Sequence, residues 1–192
     1  MISEIKRMEL NKLKKNTRYK LMALGLVVTL SLSSYLWQLP KNEFIKKDFS
    51  VAEVQYKQLL KTSNDLTQFP RTAKDGLVKT TDVWDWTQGF FSGGLWYIYE
   101  YTKKPEWKAA ATKWTEALEK AQFLTQHHDI GFVMYNSYGN AMRLEKDPVK
   151  LDKYRRILIQ SAESALTRFD PKVGLIKSWN AKKSWDNKIT WQ

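Results

Sequence analysis

Apolar residues return at helical intervals along most of the chain from residue 51 onward. Val51 to Thr62 places them at 51, 54, 56, 59 and 60, which predicts a helix. The stretch Ser63 to Asp82 is polar, with Pro70 and Gly76 as punctuation, and reads as a loop. A second helix is expected from about Thr87 to Thr102, carrying Leu95, Trp96, Ile98 and Tyr99 in one stripe. Gly93-Gly94 within it would cost about 1 kcal/mol each relative to alanine, so they point to close approach of a helix or ligand. Pro105 suits a helix start, and Trp107, Ala110, Ala111, Trp114, Ala117, Leu118, Ala121 and Leu124 follow it on one face. A short connection, His127 to Ile130, leads into a helix over 131–144. Asp147-Pro148 then reads as N-cap and first-turn proline of a helix that stripes Leu151, Tyr154, Ile157, Leu158, Ala162, Ala165, Leu166 and Phe169. Asp170-Pro171 ends it, and Val173 to Trp179 looks extended or looped.

The pattern predicts an all-α chain of about five helices in successive antiparallel pairs, with no strand-rich stretch. It does not choose between a bundle, a solenoid and a closed toroid.

The N-terminus follows other rules. The first twenty residues hold seven Lys/Arg against Glu4 and Glu9, a net +5 of the chain's +12. An uncharged run from Leu21 to Leu32 follows, and Ser31-Leu32-Ser33 offers a small-x-small exit. Residues 1–47 are therefore expected to be a basic segment with a signal peptide or uncleaved anchor and a short linker. The run barely approaches the ~20 apolar residues of a membrane span. The body, 48–192, is expected to be exported, to a periplasmic or extracellular location. Its remaining charge never forms a dense basic block, which argues against nucleic acid as a partner. The absence of cysteine among 192 residues removes disulfides, thiolate metal sites and cysteine nucleophiles.

Candidate chemistry gathers in two blocks. One is Asp82 to Trp96, with Trp84 and Trp86 bracketing Asp85 where no apolar stripe demands them. The other is His127-His128-Asp129-Ile130-Gly131-Phe132. Tryptophans offer flat apolar faces to the C–H groups of a sugar, and a carboxylate accepts hydroxyls or handles protons. Asp129 fits either a carboxylate at a pocket mouth or the N-cap of the next helix. Adjacent histidines diverge, so His127 and His128 make a poor metal pair, and no metal is expected. Trp107 and Trp114, one heptad apart, belong in the core. Gln88, Tyr135 and Asn136 could serve sugar hydroxyls.

These two blocks resemble the unsaturated glucuronyl hydrolases of glycoside hydrolase family 88, over roughly residues 50–192. The resemblance implies part of an (α/α)6 barrel, twelve helices in two rings with the site at one mouth. It implies that Asp129 is one of two essential carboxylates, and that His128, Trp86 and Trp179 contact the sugar. The implied substrates are oligosaccharides left by polysaccharide lyases, ending in a 4,5-unsaturated uronic acid, with no metal or organic cofactor. In that family the acid/base aspartate lies in an Ile-Asp-x-Met-Met-Asn type segment. Residues 48–192 are therefore expected to be the first part of such a domain, truncated before that segment, inactive alone and poorly soluble. A non-catalytic helical carbohydrate-binding module and a relative of the unsaturated rhamnogalacturonyl hydrolases are the alternatives.

Overall fold

A computed structural model describes residues 19–22, 24–27, 29, 42–180, 182–183 and 189–190. The chain divides into two units, Met1–Ser50 and Val51–Gln192. In the first, residues 19–22, 24–27 and 29 are helical and exposed, as are 42–50 except for half-buried Phe49. Among the described residues no helix is long and apolar enough to cross a membrane. Most of the basic N-terminal cluster, the Ser31-Leu32-Ser33 exit and Trp191-Gln192 lie outside the described residues.

The second unit begins with helix α1 (51–62) and a hairpin, β1 (Phe69–Lys74) and β2 (Leu77–Thr81). The hairpin corrects the loop expected over 63–82. Its register runs from Phe69 opposite Thr81 to Lys74 opposite Leu77, with an irregularity between Pro70 and Thr72. Asp75 and Gly76 sit at φ of 53° and 74°. Paired positive φ values give the turn whose twist matches the strands it joins. Phe69 is fully buried and meets Trp114 edge-on at 5.5 Å, which anchors the hairpin to the helices.

Helix α2 (Gln88–Thr102) and α3 (Pro105–Glu116) form a helical hairpin. Lys103 adopts the left-handed conformation between them and its N–H closes on the Tyr99 carbonyl. Leu95, Trp96, Ile98, Trp107, Ala111 and Trp114 of these two helices are buried, each large side chain contributing ~1.5–3 kcal/mol. Trp107 and Trp114 are core, as their spacing indicates. The Trp96 indole N–H donates to Thr115 Oγ1 at 2.8 Å, so burial leaves that dipole satisfied. On α1, Tyr56 stacks on Phe91 at 5.5 Å.

The helix expected to continue to Leu124 instead stops at Glu116 and resumes as a 3₁₀ turn, Glu119–Phe123. Next come α4 (Ile130–Met134), a π-helical turn (Tyr135–Gly139) and α5 (Asn140–Leu144), end to end. Ser137 Oγ donates to the Val133 carbonyl at 2.6 Å and Asn140 Nδ2 to Asn136 at 2.8 Å. Those side chains serve carbonyls where the ordinary ladder is interrupted. The glycines of α2 face this segment. A Cβ at Gly89 would overlap the Val133 backbone, and one at Gly93 would come within 2.8 Å of the Asn136 carbonyl. The expected close helix approach is therefore found at Gly93, and Gly89 extends it. Gly94 faces Tyr56 instead.

Helix α6 (Pro148–Leu166) starts as read from sequence, with Asp147 accepting from the Val149 N–H at 2.9 Å. Its Tyr154 meets Tyr138 edge-on at 5.3 Å. Burial pushes both phenols well above their ordinary range. Beyond it, β3 (Phe169–Asp170) pairs antiparallel with β4 (Leu175–Ile176) around Gly174 at φ 73°. Lys182–Lys183 (β5) pairs with Ile189–Thr190 (β6).

Candidate functional site

Three segments meet around Asp129. The first, residues 82–87, is a loop held by its own side chains. Asp85 Oδ1 accepts from the Thr87 N–H at 2.9 Å and the Thr87 hydroxyl at 2.5 Å. Its Oδ2 lies 3.2 Å from Arg71 Nε on β1. Burial pushes the Asp85 carboxyl up, but Thr87 and Arg71 together outweigh it and hold it below its ordinary range. Gln88 Nε2 donates to the Val83 carbonyl at 2.5 Å.

The second segment, His127 to Asp129, opens α4. The third is Ser178-Trp179, which pairs with it as an isolated antiparallel bridge between His127 and Trp179. The His128 N–H donates to the Ser178 carbonyl at 2.8 Å. Arg168, at the end of α6, fastens the same strand by donating to the carbonyls of Lys177 (2.7 Å) and Thr125 (2.5 Å).

Asp129 occupies the position before α4, yet its carboxylate makes no capping hydrogen bond there. The residue is only 6% exposed. Instead Oδ2 faces His127 Nδ1 at 3.6 Å and Oδ1 faces His128 Nε2 at 3.4 Å. His127, 3% exposed, lies flat on the Trp179 indole with ring centres 4.3 Å apart. His127 Nε2 contacts the Trp84 carbonyl at 3.2 Å, linking the first segment to the second. Beside this cluster is a depression of about 350 Å³ lined by His128, Gly131, Phe132, Tyr135 and Asn136. Phe132 and Tyr135 expose 51% and 75% of their surface. Phe132 packs near Phe90 (6.3 Å), and Phe90 meets Trp86 edge-on (6.1 Å), forming an exposed aromatic row. Among the described residues no group of three or more His, Asp or Glu side chains is arranged to hold a metal ion.

No protein-family profile matches the chain. Individual relatives do. An unsaturated glucuronyl hydrolase of Formosa agariphila is 32% identical over 145 residues, covering 74% of this chain and 36% of the relative. One from Bacillus sp. (strain GL1) is 32% identical over 126 residues, 62% of this chain and 32% of that one. The solved structure of an unsaturated glucuronyl hydrolase specific for heparin superposes with a TM-score of 0.64 at 37% identity. That match covers 71% of this chain and 36% of the other. The chain belongs with the unsaturated glucuronyl hydrolases. Its helices match part of their (α/α)6 barrel, and it spans about a third of the length of these curated relatives.

Of the residues singled out from sequence, His128, Asp129 and Trp179 are in mutual contact through His127. Trp86, 37% exposed, joins them through the aromatic row rather than directly. Tyr135 and Asn136 line the depression, whereas Gln88 is fully buried and turned onto Val83. His127 was visible in the sequence but had no task there. Phe90 and Phe132 lie within the two sequence blocks but had no role there, although Phe90 stands one helical turn after Trp86 and outside the buried stripe.

Proposed function

We propose that this chain supplies part of the site of a hydrolase acting on 4,5-unsaturated uronic acid at the non-reducing end of oligosaccharides. The observation that carries this reading is the Asp129 carboxyl, set between two imidazoles and joined through His127 to the Trp179 indole. Trp179 offers the sugar ring a flat apolar face, and Trp86 with Phe90 and Phe132 offers further aromatic surface. His128, Tyr135 and Asn136 supply polar groups at the depression.

In such a reaction a proton goes to C4 and the oxygen of water bonds to C5, its own proton passing to a base. The resulting hemiketal opens and releases the neighbouring sugar. The transition state carries positive charge in the ring, which an adjacent carboxylate stabilises. Asp129 takes that part, and protonation of C4 falls to a second carboxylic acid. By resemblance that acid belongs to an Ile-Asp segment, and no Ile-Asp pair occurs in these 192 residues. The 192-residue chain is therefore expected to bind an unsaturated disaccharide without consuming it. The basic N-terminus and its apolar run support export of the body, retained at the membrane only through an uncleaved anchor.

The test is titration of the chain with an unsaturated chondroitin disaccharide. Indole fluorescence should change saturably, and the absorbance of the conjugated double bond should persist. Trp179→Ala should weaken binding at least ~10-fold, about 1.4 kcal/mol. Absence of any saturable signal would overturn the glycan reading, and loss of the double bond would show that the acid is already present.

A further inference from the structure

We propose that His127, Asp129 and His128 hold one shared proton between them, with His127 the buried positioning residue that keeps it there. The inference deepens the reading of Asp129 as the site carboxyl and rests on a hydrogen inventory. A backbone carbonyl oxygen only accepts, so a ring nitrogen that meets one must bring the hydrogen. His127 meets the Trp84 carbonyl through Nε2, and His128 meets the Ser178 carbonyl through Nδ1 at 3.1 Å. Each neutral ring has a single N–H, and in both it is spent on the backbone. The two nitrogens left over, His127 Nδ1 and His128 Nε2, are the ones that face the Asp129 oxygens.

With neutral rings and an ionised carboxylate, bare lone pairs would confront negative oxygens on both sides. Asp129 makes no capping hydrogen bond to α4, and His127 Nδ1 is buried without a hydrogen-bond partner. A buried repulsion is costly, so one added proton turns the contact on the buried His127 side into an attraction, while the exposed His128 ring leaves its own contact open to water. The proton makes either an imidazolium beside a carboxylate or a carboxylic acid that donates to a ring.

A separate observation favours the first form. The His127 ring lies 4.3 Å above the Trp179 indole, tilted by 18°, and a cationic ring is attracted to that face. The other charged groups on the touching segments have partners or solvent of their own. Asp82 accepts from the Trp84 N–H, Asp85 pairs with Arg71, Arg168 donates to backbone carbonyls, and Lys177 is exposed to solvent. In this form the imidazolium balances the carboxylate, and the three side chains together are neutral.

The chain contains only two histidines, so ring nitrogen NMR resolves the question directly. In ¹⁵N,¹³C-labelled protein at pH 7.5, without glycan, His127 should show Nε2–H and His128 Nδ1–H. One ring should in addition be doubly protonated, or the Asp129 carboxyl carbon should have the shift of the acid. His127→Gln assigns the signals, keeps a donor for Trp84 and should remove the extra proton, leaving His128 singly protonated. Two singly protonated rings beside an ionised Asp129 in the unaltered protein would overturn the proposal. That measurement involves no sugar, so its failure leaves the glycan reading untouched. A failed disaccharide titration likewise leaves the proton inventory standing.

Discussion

Single polar atoms decide much in this core, because each buried dipole has few partners. The indole N–H of Trp96 has one, the hydroxyl of Thr115, and both side chains are fully buried. Thr115→Val keeps the shape and removes the acceptor, so the N–H is left dry. Chemical denaturation should register a loss of about 1–3 kcal/mol, against little change for Thr112→Val on the half-exposed face of the same helix. Asp129 follows the same rule with a different result. Its place before α4 is where a capping carboxylate would stand, and sequence alone allowed that role. The two histidines beside it offer nitrogens to both oxygens, and the side chain turns to them.

At the scale of elements, the packed helices were legible because burial imposes its period on the sequence. The stripe through Trp107 and Trp114 and the Asp147-Pro148 start both appear as read. The hairpin was not, because β1 and β2 are short, largely exposed and carry little alternation. The available signal was Asp75-Gly76, a dipeptide favoured where two successive residues take positive φ. The break after Glu116 was hidden for the opposite reason: Leu118, Ala121 and Leu124 stay buried through a 3₁₀ turn, so the stripe continues where the α-helix does not. The site was legible as residue types but not as contacts, since the bridge between His127 and Trp179 joins residues far apart in sequence.

Two glycines test the element contacts with the same added methyl. Gly89→Ala would drive a Cβ into the Val133 backbone and should cost about 1–3 kcal/mol. Gly131→Ala, on α4, meets nothing within 4 Å and should be neutral or stabilising by up to about 1 kcal/mol. Equal losses at both positions would contradict the packing of α2 on α4.

Across the whole second unit, Glu145 ties three helices together. It lies just after α5, pairs with Lys108 of α3 at 2.8 Å, and accepts from the N–H groups of Lys146 and Asp147 leading into α6. Burial pushes its carboxyl up, but Lys108 and the two N–H groups outweigh that and hold it at about 2, against an ordinary 4.5. The folded state thus prefers the ionised form. The stabilisation is complete above the unfolded value of 4.5 and is lost as pH falls from there to about 2. Its size is on the order of 3 kcal/mol. Glu145→Gln should therefore destabilise the protein at pH 7 and approach the parent's stability near pH 2, read from urea melts at both pH values. A gap that persists undiminished in acid would remove the carboxylate from this account.

The π-helical turn over Tyr135–Gly139 gives this helix an unusual tolerance of a change in length. It accommodates one residue more than an ordinary turn, so the stripe facing α6 changes phase part-way along. Deleting a single residue there would leave a continuous α-helix whose two halves keep their present orientation, because the turn already absorbs the extra residue. The same deletion within α6 has no such turn to absorb it and would rotate the flanking halves by about 100°. A sequence comparison that closes the gap in this turn would misassign one side of the helix to the other.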